Sequence, residues 1–215
     1  MKLSRLALAI AVMPGLSLAA EPYVAEPLVV TSGRLAEPQA QATAATTVFK
    51  RDDIERLQVS SVTELLERVP GLSVVRTGGA GSQTGVFLRG TSTAQTLVLV
   101  DGQRIAAASS GTSSLEFLAP EQIERIEVVR GARSALYGSD AIGGVIQIFT
   151  RQGDGQGLKP YARLAAGSDN TYQRSLGLSG GDKRTRFHLG AALDETAGID
   201  ATRDSFGANG DDDAY

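Results

Sequence analysis

The residues that could do chemistry in this chain are few. Among 215 residues there is one histidine, His188, and no cysteine, so neither a thiolate metal site nor a thiol nucleophile can be built. No Walker-type phosphate loop and no His-Glu-x-x-His run is present, and an enzymatic site has nothing to assemble from. Carboxylates remain. Asp194, Glu195, Asp200, Asp204 and the run Asp211-Asp212-Asp213 gather toward the C-terminal end. Calcium takes roughly six to eight oxygen ligands, so Asp194, Asp200, Asp211 and Asp213 could contribute to such a site. The spacing is not that of an EF-hand, and on spacing alone a solvated acidic loop is the better reading. The chemistry expected is therefore binding, with no cofactor required and calcium as an ion such oxygens could hold.

The elements that would position these groups fall into four stretches. Residues 1–20 open with the basic Met1-Lys2-Leu3-Ser4-Arg5, continue through an apolar run interrupted by Pro14-Gly15, and end in Ala19-Ala20. This is the pattern of a secretory signal cut after Ala19 or Ala20. The apolar run is too short for a helix to cross roughly 30 Å of hydrocarbon. No later run is long enough either, so any membrane crossing must use strands. Formal net charge is −3, without the basic face of a nucleic-acid binder.

Residues 21–45 are rich in Ala, Pro, Gln and Glu and read as a flexible arm. Inside it lies one β-prone patch, Leu28-Val29-Val30-Thr31-Ser32. Such a patch suits a segment that adds as a strand to a partner's sheet edge, because backbone bonds supply affinity without a preformed fold. It equally suits an edge strand of the next domain.

Residues 46–151 read as a small α/β domain, a mixed sheet with short helices. Asp52 or Asp53 can cap a helix bearing Ile54 and Leu57, and Ser61-Val62-Thr63-Glu64 has capping-box spacing. Pro70-Gly71 stops that second helix. Strands follow at 72–76 and 86–89, separated by the glycine-rich loop at 77–82. Asp101-Gly102 between apolar runs signals a tight hairpin, and Pro120 opens a short turn. Ile126 and Val128, then Ile146 and Ile148, alternate as half-buried strands.

From 158 to 215 the signature becomes alternation. Ala162, Leu164 and Ala166 face one way and Arg163 and Ala165 the other; Leu176 and Leu178 alternate with Ser175 and Gly177; Phe187, Leu189, Ala191 and Leu193 alternate with His188, Gly190 and Ala192. Gly-Ser-Asp-Asn and Gly-Gly-Asp-Lys turns separate the segments. These are antiparallel hairpins with an apolar face, as in the strands of an outer-membrane barrel, or of a soluble antiparallel sheet.

Several runs, in order, carry a resemblance. Glu64-Leu65-Leu66-Glu67-Arg68-Val69-Pro70-Gly71, Val86-Phe87-Leu88-Arg89-Gly90, Leu99-Val100-Asp101-Gly102, Ile123-Glu124-Arg125-Ile126-Glu127-Val128-Val129-Arg130-Gly131 and Ser134-Ala135-Leu136-Tyr137-Gly138-Ser139-Asp140 resemble the plug of TonB-dependent outer-membrane receptors. The resemblance implies a plug inside a transmembrane β-barrel of 22 strands. It also implies active import driven by TonB and its inner-membrane energising complex, with outer-membrane lipid around the barrel and no nucleic acid. Leu28, Val29, Val30, Thr31 and Ser32 look like the TonB box of the cobalamin receptors. That makes cobalamin the first expected ligand and an iron siderophore the alternative.

By the same resemblance Ser82, Gln83, Thr84, Ala106, Ser109 and Ser110 lie on loops that touch ligand. Calcium at the acidic loops belongs to this implied set. Arg89, Asp101 and Arg130 would join charge pairs that hold plug to barrel. The strands after Thr150 are too few to close that barrel, so the chain is expected to be a truncated product or a fragment, unable to insert or transport alone. A soluble periplasmic binding module made of the plug is the competing reading.

Overall fold

A computed structural model describes residues 28–29, 31–33, 37–42, 44–79, 81–106, 112–153, 157–182 and 184–198. The stretch read as a signal peptide and the acidic tail lie outside these.

In the arm, β1 (Leu28–Val29) pairs antiparallel with β2 (Glu37–Pro38). The strand-prone patch is thus paired, but with the arm's own chain and not with an edge of the following domain. Within this stretch Val29 is fully buried and Thr31 is 1% exposed.

The α/β domain begins with β3 (Ala45–Lys50) and α1 (Arg51–Leu57). Asp53 does not cap α1 from outside; from within its first turn it accepts a hydrogen bond from the Lys50 N–H at 3.1 Å. At α2 (Val62–Leu66) the Ser61 hydroxyl accepts the Glu64 N–H at 3.3 Å, while the Glu64 carboxylate reaches back to the Ser60 N–H at 2.9 Å. The box is formed one residue wide of its usual closure.

β4 (Leu72–Arg76) and β5 (Thr84–Leu88) make a separate hairpin. β6 (Thr96–Val100) turns through Asp101 and Gly102, both at positive φ, into β7 (Gln103–Arg104). β8 (Ile123–Arg130), the short α3 (Ser134–Tyr137) and β9 (Gly144–Thr150) complete the domain. The main sheet has order β3-β8-β9-β6-β7, with β6 and β9 parallel and the other neighbours antiparallel.

β8 and β9 are buried on both faces, not half-buried as their alternation suggests. Ile126, Val128, Ile146, Ile148 and Val98 face α1, α2 and the β4–β5 hairpin in one apolar cluster. Leu97, Leu99 and Val145 form a second cluster on the opposite face with Ala141 and Tyr137. The docked arm covers the same second face beside Glu127. Gly144 is required at its position: its φ is +151° and an added Cβ would meet the Val129 carbonyl oxygen at 2.2 Å.

β10 (Lys159–Ala166), β11 (Tyr172–Gly181) and β12 (Arg186–Glu195) form an antiparallel sheet in unbroken register. Asp169 and Asn170, both at positive φ, make the first turn. Leu164, Leu176, Leu189 and Leu193 stand exposed on one face, and Arg163, Gln173, Ser175 and His188 are on the other, toward the plug. The described strands do not close into a barrel.

Candidate functional site: the docked arm, the plug cleft and the wall contact

The patch 28–32 sits on a buried carboxylate. Glu127 is 0% exposed, at the middle of β8. Its Oε2 accepts both the backbone N–H of Thr31 at 2.9 Å and the Thr31 hydroxyl at 2.7 Å. Arg125 approaches Oε1 at 3.0 Å and is itself held over the Phe149 ring at 4.1 Å. The Tyr137 hydroxyl donates to the Thr31 carbonyl at 3.1 Å. Burial of an ionised carboxylate is tolerable only with such partners. Of the five residues expected to bind the coupling partner, Leu28, Val29, Thr31 and Ser32 are placed here; Val30 lies outside the described residues.

A cleft of about 420 Å³ opens between plug and wall. Its plug side is Ser82 and Thr84 with Gly79 and Gly81, Arg76 of β4, and Glu116 and Phe117. Its wall side is Thr171, Gln173, Asp194 and Glu195. Two of the expected ligand residues, Ser82 and Thr84, therefore line a concave surface. The Thr84 hydroxyl is occupied by the Ser82 carbonyl at 3.2 Å. Gln83 is exposed nearby and its amide donates to Thr112 at 2.9 Å, tying the loop to the segment before Phe117. Ala106 is exposed and does not line the cleft; Ser109 and Ser110 lie outside the described residues. Arg76 and Phe117, which the sequence reading did not single out, bring a cation and an exposed ring to this cleft. Arg76 gives one nitrogen to Thr63 at 2.6 Å.

Plug and wall are fastened by side chains pointing inward from the strands. Arg163 of β10 is ion-paired with Glu121, a buried residue at the head of β8. Gln173 of β11 donates to the Ser60 carbonyl at 3.2 Å, and Arg151 lies over the Tyr161 ring at 4.8 Å. The contacts that the described residues give to Arg89, Asp101 and Arg130, the charges expected at such an interface, lie within the plug. The Asp101 carboxylate accepts the Thr150 N–H at 2.9 Å and the Thr150 hydroxyl at 2.5 Å, locking the hairpin turn to the end of β9. Arg130 donates to the Pro70 carbonyl at 3.2 Å and the Ala45 carbonyl at 3.3 Å, also within the plug. Arg89, at positive φ, brings its guanidinium beside Gly131.

For the acidic set, Asp194 stands on the cleft wall. Asp200, Asp211 and Asp213 lie outside the described residues. Among the described residues no group of three or more His, Asp or Glu side chains is placed to hold a metal.

Residues 38–145, just over half of the chain, match the family model described as TonB-dependent Receptor Plug Domain. The chain belongs to this family of receptors, and an enzymatic reading is set aside with it. Solved structures agree in fold. The ferric yersiniabactin uptake receptor FyuA of Yersinia pestis is 25% identical with a TM-score of 0.57, covering 71% of this chain and 24% of that one. The pyoverdine outer-membrane receptor FpvA of Pseudomonas aeruginosa is 21% identical with a TM-score of 0.67, covering 79% and 24%. The siderophore receptor PiuA of Acinetobacter baumannii is 22% identical with a TM-score of 0.61, covering 74% and 22%. The chain thus spans about a quarter of the length of these receptors.

Proposed function

We propose that the chain is the N-terminal part of an outer-membrane receptor that binds an iron-siderophore complex and imports it with energy delivered by TonB to the patch 28–32. The observation that carries this reading is the plug fold with its cleft against the wall strands. The proteins sharing that fold include receptors for ferric yersiniabactin and pyoverdine and the siderophore receptor PiuA. Cobalamin, expected first from the TonB-box likeness, gains no support from them.

The cleft has the volume of a small-ligand site. Arg76 offers charge to an anionic chelate, and Phe117, 71% exposed, offers a ring to an aromatic one. The row Leu164, Leu176, Leu189 and Leu193 supports placement in lipid, since water would face four large apolar side chains together. A soluble plug-only module leaves that row uncovered. Calcium at the acidic loops, and a role for Arg89 in holding plug to barrel, stay within this proposal.

Equilibrium binding of a panel of ferric siderophores and of cobalamin to the receptor, with and without Gln83→Ala and Arg76→Ala, tests the reading. Binding of one ferric siderophore, weakened severalfold by either substitution, is the expected outcome. Cobalamin binding alone, or affinity indifferent to both substitutions, contradicts it.

A further inference from the structure

Of the patch 28–32, Val29, Thr31 and Ser32 are buried against the plug, and a buried carboxylate holds Thr31 there. Leu28 and Val29 have their backbone engaged by β2. Thr31 gives both its donors to a single oxygen of Glu127, a residue 96 positions away in the sequence. Tyr137 engages the Thr31 carbonyl. An apolar seat would hold the arm by area alone. A carboxylate holds it by directed bonds that water can replace once the arm leaves, so release does not strand an unsolvated charge.

We infer that Glu127 is the latch of the coupling segment: through Thr31 it keeps the segment docked on the plug, and the periplasmic partner must compete with Glu127 and β2 for the same strand. The inference rests on reading 28–32 as the coupling segment. Arg125, pinned over Phe149, meets the other carboxylate oxygen at 3.0 Å and keeps the group aimed. The latch lies on the strand whose first turn, Pro120–Gln122, lines the ligand cleft and carries Glu121 to the wall. Cleft, wall contact and latch thus share one rigid element.

These 215 residues hold no cysteine, so Ser32→Cys adds a thiol at a site only 3% exposed, and the receptor without the substitution gives the background labelling to subtract. The rate of maleimide modification of Ser32→Cys is measured in outer-membrane vesicles bearing the receptor. It is expected to rise about tenfold or more with Glu127→Ala, since hydrogen bonds to a charged group are lost. Thr31→Val keeps the plug intact and removes only the hydroxyl donor, so it should give a smaller, severalfold rise. Val98→Cys, deep in the plug core, serves as the control for unfolding and should stay slow. If Glu127→Ala opens the core as well, Thr31→Val decides. Unchanged Ser32→Cys rates with both substitutions, or with Thr31→Val in that case, overturn the latch. Unchanged rates together with energy-dependent uptake would sink the latch and leave the proposed function standing. Accelerated rates without such uptake would do the reverse.

Discussion

Arg163, on the first wall strand, is ion-paired with Glu121, the buried carboxylate at the head of β8. The pair joins the two parts of the molecule that must move relative to each other if the plug is to be remodelled during import. Arg163 is 24% exposed and Glu121 10% by side chain, so the pair is largely shielded from solvent. Arg163→Ala leaves Glu121 buried without its cation and should cost the plug–wall contact toward the low end of about 3–5 kcal/mol. Hydrogen exchange at the turn between α1 and α2 is the readout, because Arg163 and Gln173 both reach carbonyls there. Faster exchange confined to that turn is expected; unchanged exchange would show that the pair contributes nothing to docking.

Two glycines separate strain from crowding. Gly138, at φ +91°, has open space where a Cβ would go, whereas Gly144, at φ +151°, would drive its Cβ against the Val129 carbonyl and Leu88. Gly138→Ala should cost about 1–3 kcal/mol from backbone strain alone. Gly144→Ala adds a clash worth about another 1–3 kcal/mol. Thermal unfolding of the two variants in detergent checks the order; equal losses would mean the backbone at Gly144 relaxes away from Val129.

Asp182 gives the turn between β11 and β12 a pH dependence. The backbone N–H of Thr185, and then that of Arg184, hold its carboxyl below the ordinary aspartate range. With a depressed folded pKa, the turn's support from this carboxylate is present above the unfolded value. It is lost as pH falls through the folded one. The Thr185 amide resonance should therefore titrate with a midpoint below about 3.9, the unperturbed value, and Asp182→Asn should abolish the titration. A midpoint at or above 3.9 would contradict the assignment.

Much of the plug was legible because turns and caps punctuate it. Pro70-Gly71, Asp101-Gly102 and Ser61 through Glu64 each mark an element boundary by local chemistry, and the structure puts strands and helices between them. The alternation of β10, β11 and β12 was legible for a different local reason: residues two apart share a face. What could not be read was long-range. Glu127 carries no local sign that Thr31 will come to it, and its alternation with Ile126 and Val128 suggests a solvent face, not a seat for the arm.

Asp101 sits in a turn that the sequence marks, but its partner Thr150, 49 positions away, carries no local sign of the contact. Arg163 and Glu121 were unremarkable residues until the strands and the plug were brought together. The ligand class turned on residues 28–32, a short patch that says more about the coupling partner than about what the outer loops bind.

The central claim is that residues 28–32 couple an outside energy source to a siderophore bound elsewhere on the chain. Val29→Pro removes a backbone donor from the strand-forming patch, far in role from the cleft at Ser82 and Arg76. Uptake of radiolabelled ferric siderophore by cells carrying the Val29→Pro receptor, measured beside equilibrium binding to the same cells, tests the claim most directly. Retained binding with uptake reduced to the level of cells lacking TonB is the expected result. Undiminished uptake, or loss of binding along with uptake, would contradict it.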